Sequence, residues 1–478
     1  MAALITPLTL NPFTMSMSNK HGPGQVIVVM VPFPAQGHLN QLLHLSRLIS
    51  AYDIPVHYVS TTIHNRQAKL RVHGWDPLSI SNIHFHDFQT PSFPSPPPNP
   101  NSPLGHLLPS FELASSHLRK PVASLLQQLS SAAKRRLVII HDSLMSSVVQ
   151  DLVLVPNAEA YTFHSVSAFT VFLHLWENLG RPFAVQSDIL KDLPSLDGCF
   201  TSDFANFISS QHDCMKFNSG KIYNTCKLIE TPYLDLLAKE QISKNKKQWP
   251  LGPFNPVSVS QNKTPNPRHQ CLKWLDKQAT SSVIFVSFGT TSSLSDQQIQ
   301  ELALGLEKGV QNFIWVLRDA DKGDVFGGEV RRAILPKGYE ERMKGKGMIV
   351  RDWAPQLEIL AHPSTAGFMS HCGWNSCMES ITMGVPILAW PMHSDQPRNT
   401  VLITKLLRIG LVVKNWSLRD ELVVAETVGD VIKKLMTSEE GGEIRRRAAK
   451  LGGDVRMSVA GGGVSRLELD SFIIHISR

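Results

Sequence analysis

What this chain lacks narrows its function before any motif is read. Its 478 residues hold no apolar run of the roughly 20 residues that cross a bilayer, so no membrane span is expected. Only six cysteines occur, Cys199, Cys214, Cys226, Cys271, Cys372 and Cys377, and none forms a C-x-x-C pair. Scattered thiols of this kind fit a reduced cytoplasmic protein and argue against a disulfide framework. No His/Cys/Asp cluster has metal-ligand spacing, so no metal is expected. Neither half opens with a strand followed by G-x-G-x-x-G, and the P-loop pattern is absent, which weakens dehydrogenase and P-loop readings. Charge is sparse: 18% of residues are Asp, Glu, Lys or Arg, and the net charge is +7. That excess suits a small anionic ligand, and no nucleic-acid partner is expected. Residues 1–24 lack a basic leader and a clean apolar core, so they read as a disordered tail and not as a signal peptide.

What is present is a β/α series repeated twice. The chain is too long for one hydrophobic core, so two domains are expected. Val26–Pro32 is a continuous β-branched run, as in a strand buried on both faces of a parallel sheet. A helical pattern through Leu39, Leu42, Leu43 and Leu45 follows, then strands at Val56–Ser60, Ile83–Phe88 and Leu137–Ile140, the last ending in His141-Asp142. Residues 90–105 are rich in Pro, Ser and Asn and read as a long loop. A second series starts at Ser282–Phe288 and continues at Phe313–Leu317. The fold class is therefore α/β. The division is an N-terminal domain at 25–250, a linker at 251–268, a C-terminal domain at 269–455 and a last helix at 456–478. Residues 421–454 read as amphipathic helix.

The densest chemistry lies between Trp353 and Gln396. A strand-to-helix turn at Ser370–Asn375 points free backbone N–H groups and a positive helix end at an anion. Gly373 permits close approach to a phosphate, His371 can donate to it, and Asn375 and Ser376 add side-chain donors. Glu379, one turn on, is an acceptor suited to a ribose diol. Trp353 offers a face for a base to stack on, with Ala354 and Gln356 beside it. Asp395 and Gln396 follow a buried strand, at the end where open α/β sheets bind ligands. In the N-terminal half, Pro34-Ala35-Gln36-Gly37-His38 follows the first strand. A neutral imidazole there can take a proton from an attacking hydroxyl. It needs a partner on its other nitrogen; Asp142 is the leading candidate, with His141 and Asp151 as competitors. Thr290 and Thr291, after Gly289, are placed to reach a diphosphate.

The Trp353–Gln396 stretch resembles the signature box of plant family-1 UDP-sugar glycosyltransferases. The resemblance runs from about Val26 to the end of the chain. It implies the GT-B fold, two facing Rossmann-like domains with a cleft between them, and a last helix crossing back onto the N-terminal domain. It implies a donor site at Thr290, Trp353, Ala354, Gln356, His371, Gly373, Trp374, Asn375, Ser376, Glu379, Asp395 and Gln396. It also implies His38 as general base with Asp142 beside it, a UDP-sugar as co-substrate and no cofactor. Trp374 matches users of UDP-glucose or UDP-xylose, and Gln396 matches glucose users. Gln41, where many members have Pro, and the ending Met392-His393-Ser394-Asp395 look like the zeatin O-glycosyltransferase branch. A small hydroxylated acceptor is expected, of the cytokinin type first and a flavonoid, phenylpropanoid or terpenoid otherwise. Phe93, Phe163, His164, Phe169 and Trp176 are the expected acceptor-pocket residues, and a monomer is expected. The reading from another class is a non-catalytic binding protein of the same fold.

Overall fold

The computed structural model describes residues 26–72, 74–99, 102–133, 135–185, 193–215, 217–258, 268–327 and 331–478. The expected disordered tail and residues 259–267 of the expected linker lie outside them. Seven strands form the first sheet: β1 (Val26–Val31), β2 (Val56–Thr61), β3 (Ile83–Phe88), β4 (Arg136–Asp142), β5 (Ala158–His164), β6 (Gly220–Tyr223) and β7 (Lys247–Pro250). They run in the order β3-β2-β1-β4-β5-β6-β7, all parallel. Six strands form the second: β8 (Val283–Ser287), β9 (Asn312–Val316), β10 (Gly347–Val350), β11 (Thr365–Ser370), β12 (Ile387–Ala389) and β13 (Gly410–Val412). Their order is β10-β9-β8-β11-β12-β13, again all parallel.

The pattern of the sequence explains this layering. Every residue of β1, β8 and β11 is buried, because helices cover both faces of a parallel sheet. The helix Gln36–Ser50 turns Leu39, Leu42, Leu43 and Ile49 into the first core by their three- and four-residue spacing. Each sheet reverses its strand order once, between β1 and β4 and between β8 and β11. The crevices at the carboxyl ends of those pairs are where doubly wound sheets hold ligands.

Three features bear on the sequence reading. Leu251–Pro256, the first part of the expected linker, is buried, and Phe254 packs 5.8 Å from Phe163. The amphipathic stretch at 421–454 falls into two helices, Ala425–Thr437 and Glu439–Ser458. They part at Ser438, whose extended backbone breaks the helix and whose hydroxyl caps the next one at Gly441 N–H. The helix Val464–Ile476 packs on the first sheet, with Phe472 edge-on to Tyr161 (5.4 Å) and Trp249 (5.1 Å). No helix among the described residues is long and apolar enough to cross a membrane.

Candidate active site

The two switch points face one another across a cleft of about 730 Å³ lined by both halves. On the N-terminal side, His38 sits in the first turn of the helix after β1, and Asp142 closes β4, its neighbour strand. His38 Nδ1 lies 2.7 Å from Asp142 Oδ2. The His38 side chain is 22% exposed and Asp142 is fully buried, so the pair has one wet end. Asp142 Oδ1 accepts the Leu144 N–H at 2.9 Å, which fixes the carboxylate. A carboxylate only accepts, so Nδ1 carries the proton and Nε2 turns its lone pair to the cleft, 3.3 Å from Ser165 Oγ. The competitors are engaged elsewhere. His141 is buried and meets Thr162 Oγ1 and the Asp142 carbonyl, and Asp151 forms a surface pair with Arg119.

On the C-terminal side, β11 runs into the turn Ser370–Gly373 and the helix Trp374–Met383. The His371 ring is wedged against two glycines. A Cβ on Gly373 would stand 2.4 Å from its Nε2, and one on Gly289 would stand 2.6 Å away. Burial lowers the His371 pKa to about 4, so the ring is neutral, and its Nδ1 is buried without a partner among the described residues. Gln356 Nε2 donates to Glu379 (2.8 Å) and to Ser376 Oγ (3.1 Å). Burial raises Glu379 to about 7 and Asp395 to about 6. Asp395 is held by Asn399 Nδ2 at 2.7 Å. The Gln396 carbonyl oxygen accepts the Met392 and His393 amides, and its amino end lies 3.4 Å from His393 Nδ1, so a hydroxyl would meet the second hydrogen of that amino group. The Arg71 guanidinium lies 4.8 Å from the Trp353 ring centroid. Among the bonds that join the two halves are Asn375 Nδ2 to Gly37 O (2.7 Å) and Trp374 Nε1 to Asn224 O (2.9 Å).

All twelve expected donor residues line this one cleft, as does His38. Of the five expected acceptor residues, His164 alone lines it. Phe163 points to the other face of β5, into the core beside Phe254. Phe169 packs 4.7 Å from Tyr233, and Trp176 is buried with its N–H donated to Phe183 O. Phe93 sits against Gly323. The apolar wall comes instead from Phe33, Phe111, Phe200 and Phe204. Sequence reasoning also missed Ser165, Asn399 and the amide of Gln41, which donates to Ser165 O at 3.0 Å.

The comparisons with known proteins agree with this geometry. Residues 24–256 match the model of the glycosyltransferase N-terminal domain, and residues 210–434 match that of UDP-glucoronosyl and UDP-glucosyl transferases. The chain is 56% identical over 468 residues to a zeatin O-glucosyltransferase of Phaseolus lunatus, covering 97% of this chain and all of that one. It is 54% identical over 456 residues to a zeatin O-xylosyltransferase of Phaseolus vulgaris, covering 95% of this chain and 98% of that one. A solved UGT transferase from Siraitia grosvenorii in complex with UDP matches at a TM-score of 0.73 and 25% identity, over 95% of this chain and 100% of that one. The chain belongs to the UDP-glycosyltransferase family. It is a glycosyltransferase of GT-B fold, as its signature box implies.

Proposed function

We propose that this enzyme transfers glucose from UDP-glucose, with inversion, to the side-chain hydroxyl of a zeatin-like cytokinin. The observation that carries the reading is the His38–Asp142 pair, with Nε2 open to the cleft that the donor residues share. In this reading His38 Nε2 takes the hydroxyl proton as the acceptor oxygen bonds to C1 of glucose. The C1–O bond breaks on the opposite face, and its electron pair leaves with UDP. Asp142 keeps the tautomer and stabilises the imidazolium. The helix end at Trp374–Ser376 and the neutral His371 meet the leaving diphosphate. Trp353 stacks on uracil, Gln356 and Glu379 hold the ribose, Thr290 and Ala354 border the nucleotide, and Asp395 and Gln396 bind sugar hydroxyls. No metal is required, and the enzyme works as a monomer. The likeness to zeatin glucosyl- and xylosyltransferases supports the acceptor and leaves UDP-xylose as the second donor.

The test offers UDP-glucose, UDP-xylose and UDP-glucuronate in competition, with trans-zeatin, cis-zeatin and a flavonol as acceptors, and reads the products by mass spectrometry. Zeatin O-glucoside should dominate, and EDTA should leave turnover unchanged. UDP-glucuronate should be the poorest donor, because Trp374 offers no cation for its carboxylate. Flavonol glycosides in place of zeatin products would refute the acceptor, and UDP binding with no UDP release would favour the non-catalytic reading.

A further inference from the structure

The inner end of the cleft differs from its aromatic wall. Four nitrogen-bearing side chains line it: His164 from the end of β5, Lys221 from β6, His174 from the helix Ala168–Asn178 and His212 from the helix Ser202–Asp213. The pairing Thr162↔Lys221 and His164↔Tyr223 puts His164 and Lys221 on one face of the sheet, two residues apart in register. The His164 ring stacks on Tyr223 at 5.4 Å, and its Nε2 is buried without a partner among the described residues. The rings of His174 and His212 meet edge to face at 5.4 Å. No carboxylate among the described residues pairs with Lys221, and Glu177, on the helix of His174, is committed to Arg398 at 2.6 Å. The cluster borders the base directly: Ser165, next to His164 in the chain, lies 3.3 Å from His38 Nε2.

The chemistry of the cluster selects its ligand. Burial lowers the basicity of His164, His174 and His212, leaving neutral rings. His164 and His212 can each offer a donor or an acceptor, while His174 Nε2 already meets Asn178 Nδ2 at 3.0 Å and leaves only its other nitrogen to a ligand. Lys221, brought down by burial to about 8, still carries its proton at neutral pH. Arg398, which lines the same cleft, is paired with Glu177, and the Asp213 carboxyl stands beside His212. One unpaired cation among neutral donors and acceptors, with a carboxyl nearby, is a poor match for a dianion and a good match for an aza-aromatic edge, where lone-pair nitrogens alternate with N–H groups. We infer that His164, His174, His212 and Lys221 form a recognition subsite for a nitrogen-containing aromatic ring of the acceptor, held by its edge while its hydroxyl reaches back to His38. The inference deepens the proposed cytokinin reading and rests on it only for the purine as the particular ring.

The test uses acceptor pairs that differ in ring nitrogens alone: one allylic-alcohol chain on purine or on indene, and quinolinemethanol against naphthalenemethanol. A site with buried polar groups left unpaired by the carbocycle should favour the aza member by about 10–100-fold in kcat/KM. Lys221→Met and, separately, His212→Leu should bring that ratio to within about threefold, through KM for the aza member. The thermal shift by UDP reports whether each variant is folded. A ratio that persists in both folded variants overturns the subsite. So does a parallel loss on both members of a pair, or a parent ratio near one. An arenecarboxylate analogue outcompeting the purine, and losing that advantage in Lys221→Met, would make the cluster an anion site and also overturn it. If the purine alcohol is not turned over at all, the cytokinin reading fails by itself, and the quinoline pair still decides the subsite.

Discussion

Asp142→Asn is the sharpest perturbation, because the side chain has two oxygens and both are used. Oδ2 receives the His38 Nδ1 proton at 2.7 Å, and Oδ1 receives the Leu144 amide at 2.9 Å. Asparagine keeps one oxygen. If that oxygen stays on Leu144, the new NH₂ faces Nδ1, which must then accept. The proton moves to Nε2 and the base loses its lone pair. If the amide turns round, two donors collide at Leu144 in a site with no exposure to water, an arrangement that costs about 1–3 kcal/mol. The first orientation wins, so the fold survives with the wrong tautomer. Turnover should fall by about 10²–10⁴-fold, the usual range for a lost general base. UDP affinity and melting temperature should hardly change, since Asn caps a turn nearly as well as Asp. The assay is kcat for UDP release with saturating acceptor, run beside His38→Ala and the double variant. Because the pair acts as a unit, the double variant should lose little more than His38→Ala. Losses that multiply, or an Asp142→Asn enzyme within fivefold of the parent, would refute the tautomer argument.

Three further outcomes follow from the packing and the charges. Gly373→Ala places a Cβ 2.4 Å from His371 Nε2, which Gly289 hems in as well, so UDP affinity by calorimetry should fall about tenfold or more with little change in acceptor KM; an unaltered Kd would refute the wedge. Phe169→Ala should destabilise the protein by about 3–5 kcal/mol in urea and leave acceptor preference alone, since the ring is fully buried against Tyr233. Glu230 accepts the Ala168 and Phe169 amides, and burial raises its pKa from 4.5 to about 7, so between those values the folded state holds the extra proton and loses stability as pH rises. The melting temperature of Glu230→Gln, compared with the parent, should therefore improve from pH 4.5 to pH 7.5, and a constant difference would refute the shift.

The residues proposed to hold the donor could be grouped from the sequence because most of them lie in one stretch, Trp353–Gln396, and the others follow a strand. Gly289, His371 and Gly373 fall at strand ends, and strand ends in a parallel sheet point to the ligand crevice whatever the rest of the fold does. His38 and Asp142 were legible for the same reason: each follows an apolar run, and the two strands are neighbours at the switch point. The acceptor wall was not. In a sheet covered on both faces, apolar residues mark neither face, so Phe163, which faces the core, could not be told from a residue facing the cleft, whereas its neighbour His164 faces the cleft. Helix periodicity likewise shows that Phe169 and Trp176 are buried but not against what. Lys221 gave no signal at all: a single lysine in a four-residue strand reads as solvent-facing until β5 is set beside it.

The two halves share side chains as well as a cleft. Asn399 uses its whole amide at the junction: Nδ2 donates to Asp395 Oδ2 (2.7 Å) and Cys372 O (2.9 Å), while Oδ1 accepts Ser167 Oγ (2.9 Å). Ser167 caps the helix Ala168–Asn178, which carries His174 into the acceptor end. One carboxamide thus ties the Asp395 carboxylate to the helix that carries His174. Asn375 ties the helix Trp374–Met383 to Gly37, the residue before His38, at 2.7 Å. In the proposed mechanism the distance from base to donor is therefore set by direct hydrogen bonds between the two halves. Transfer between two bound molecules depends steeply on that distance, since a misplacement of about 1 Å can cost about 10²-fold in rate. In the proposed mechanism the same bonds couple donor and acceptor selectivity at Asn399, although the residues proposed for each substrate lie on different sheets.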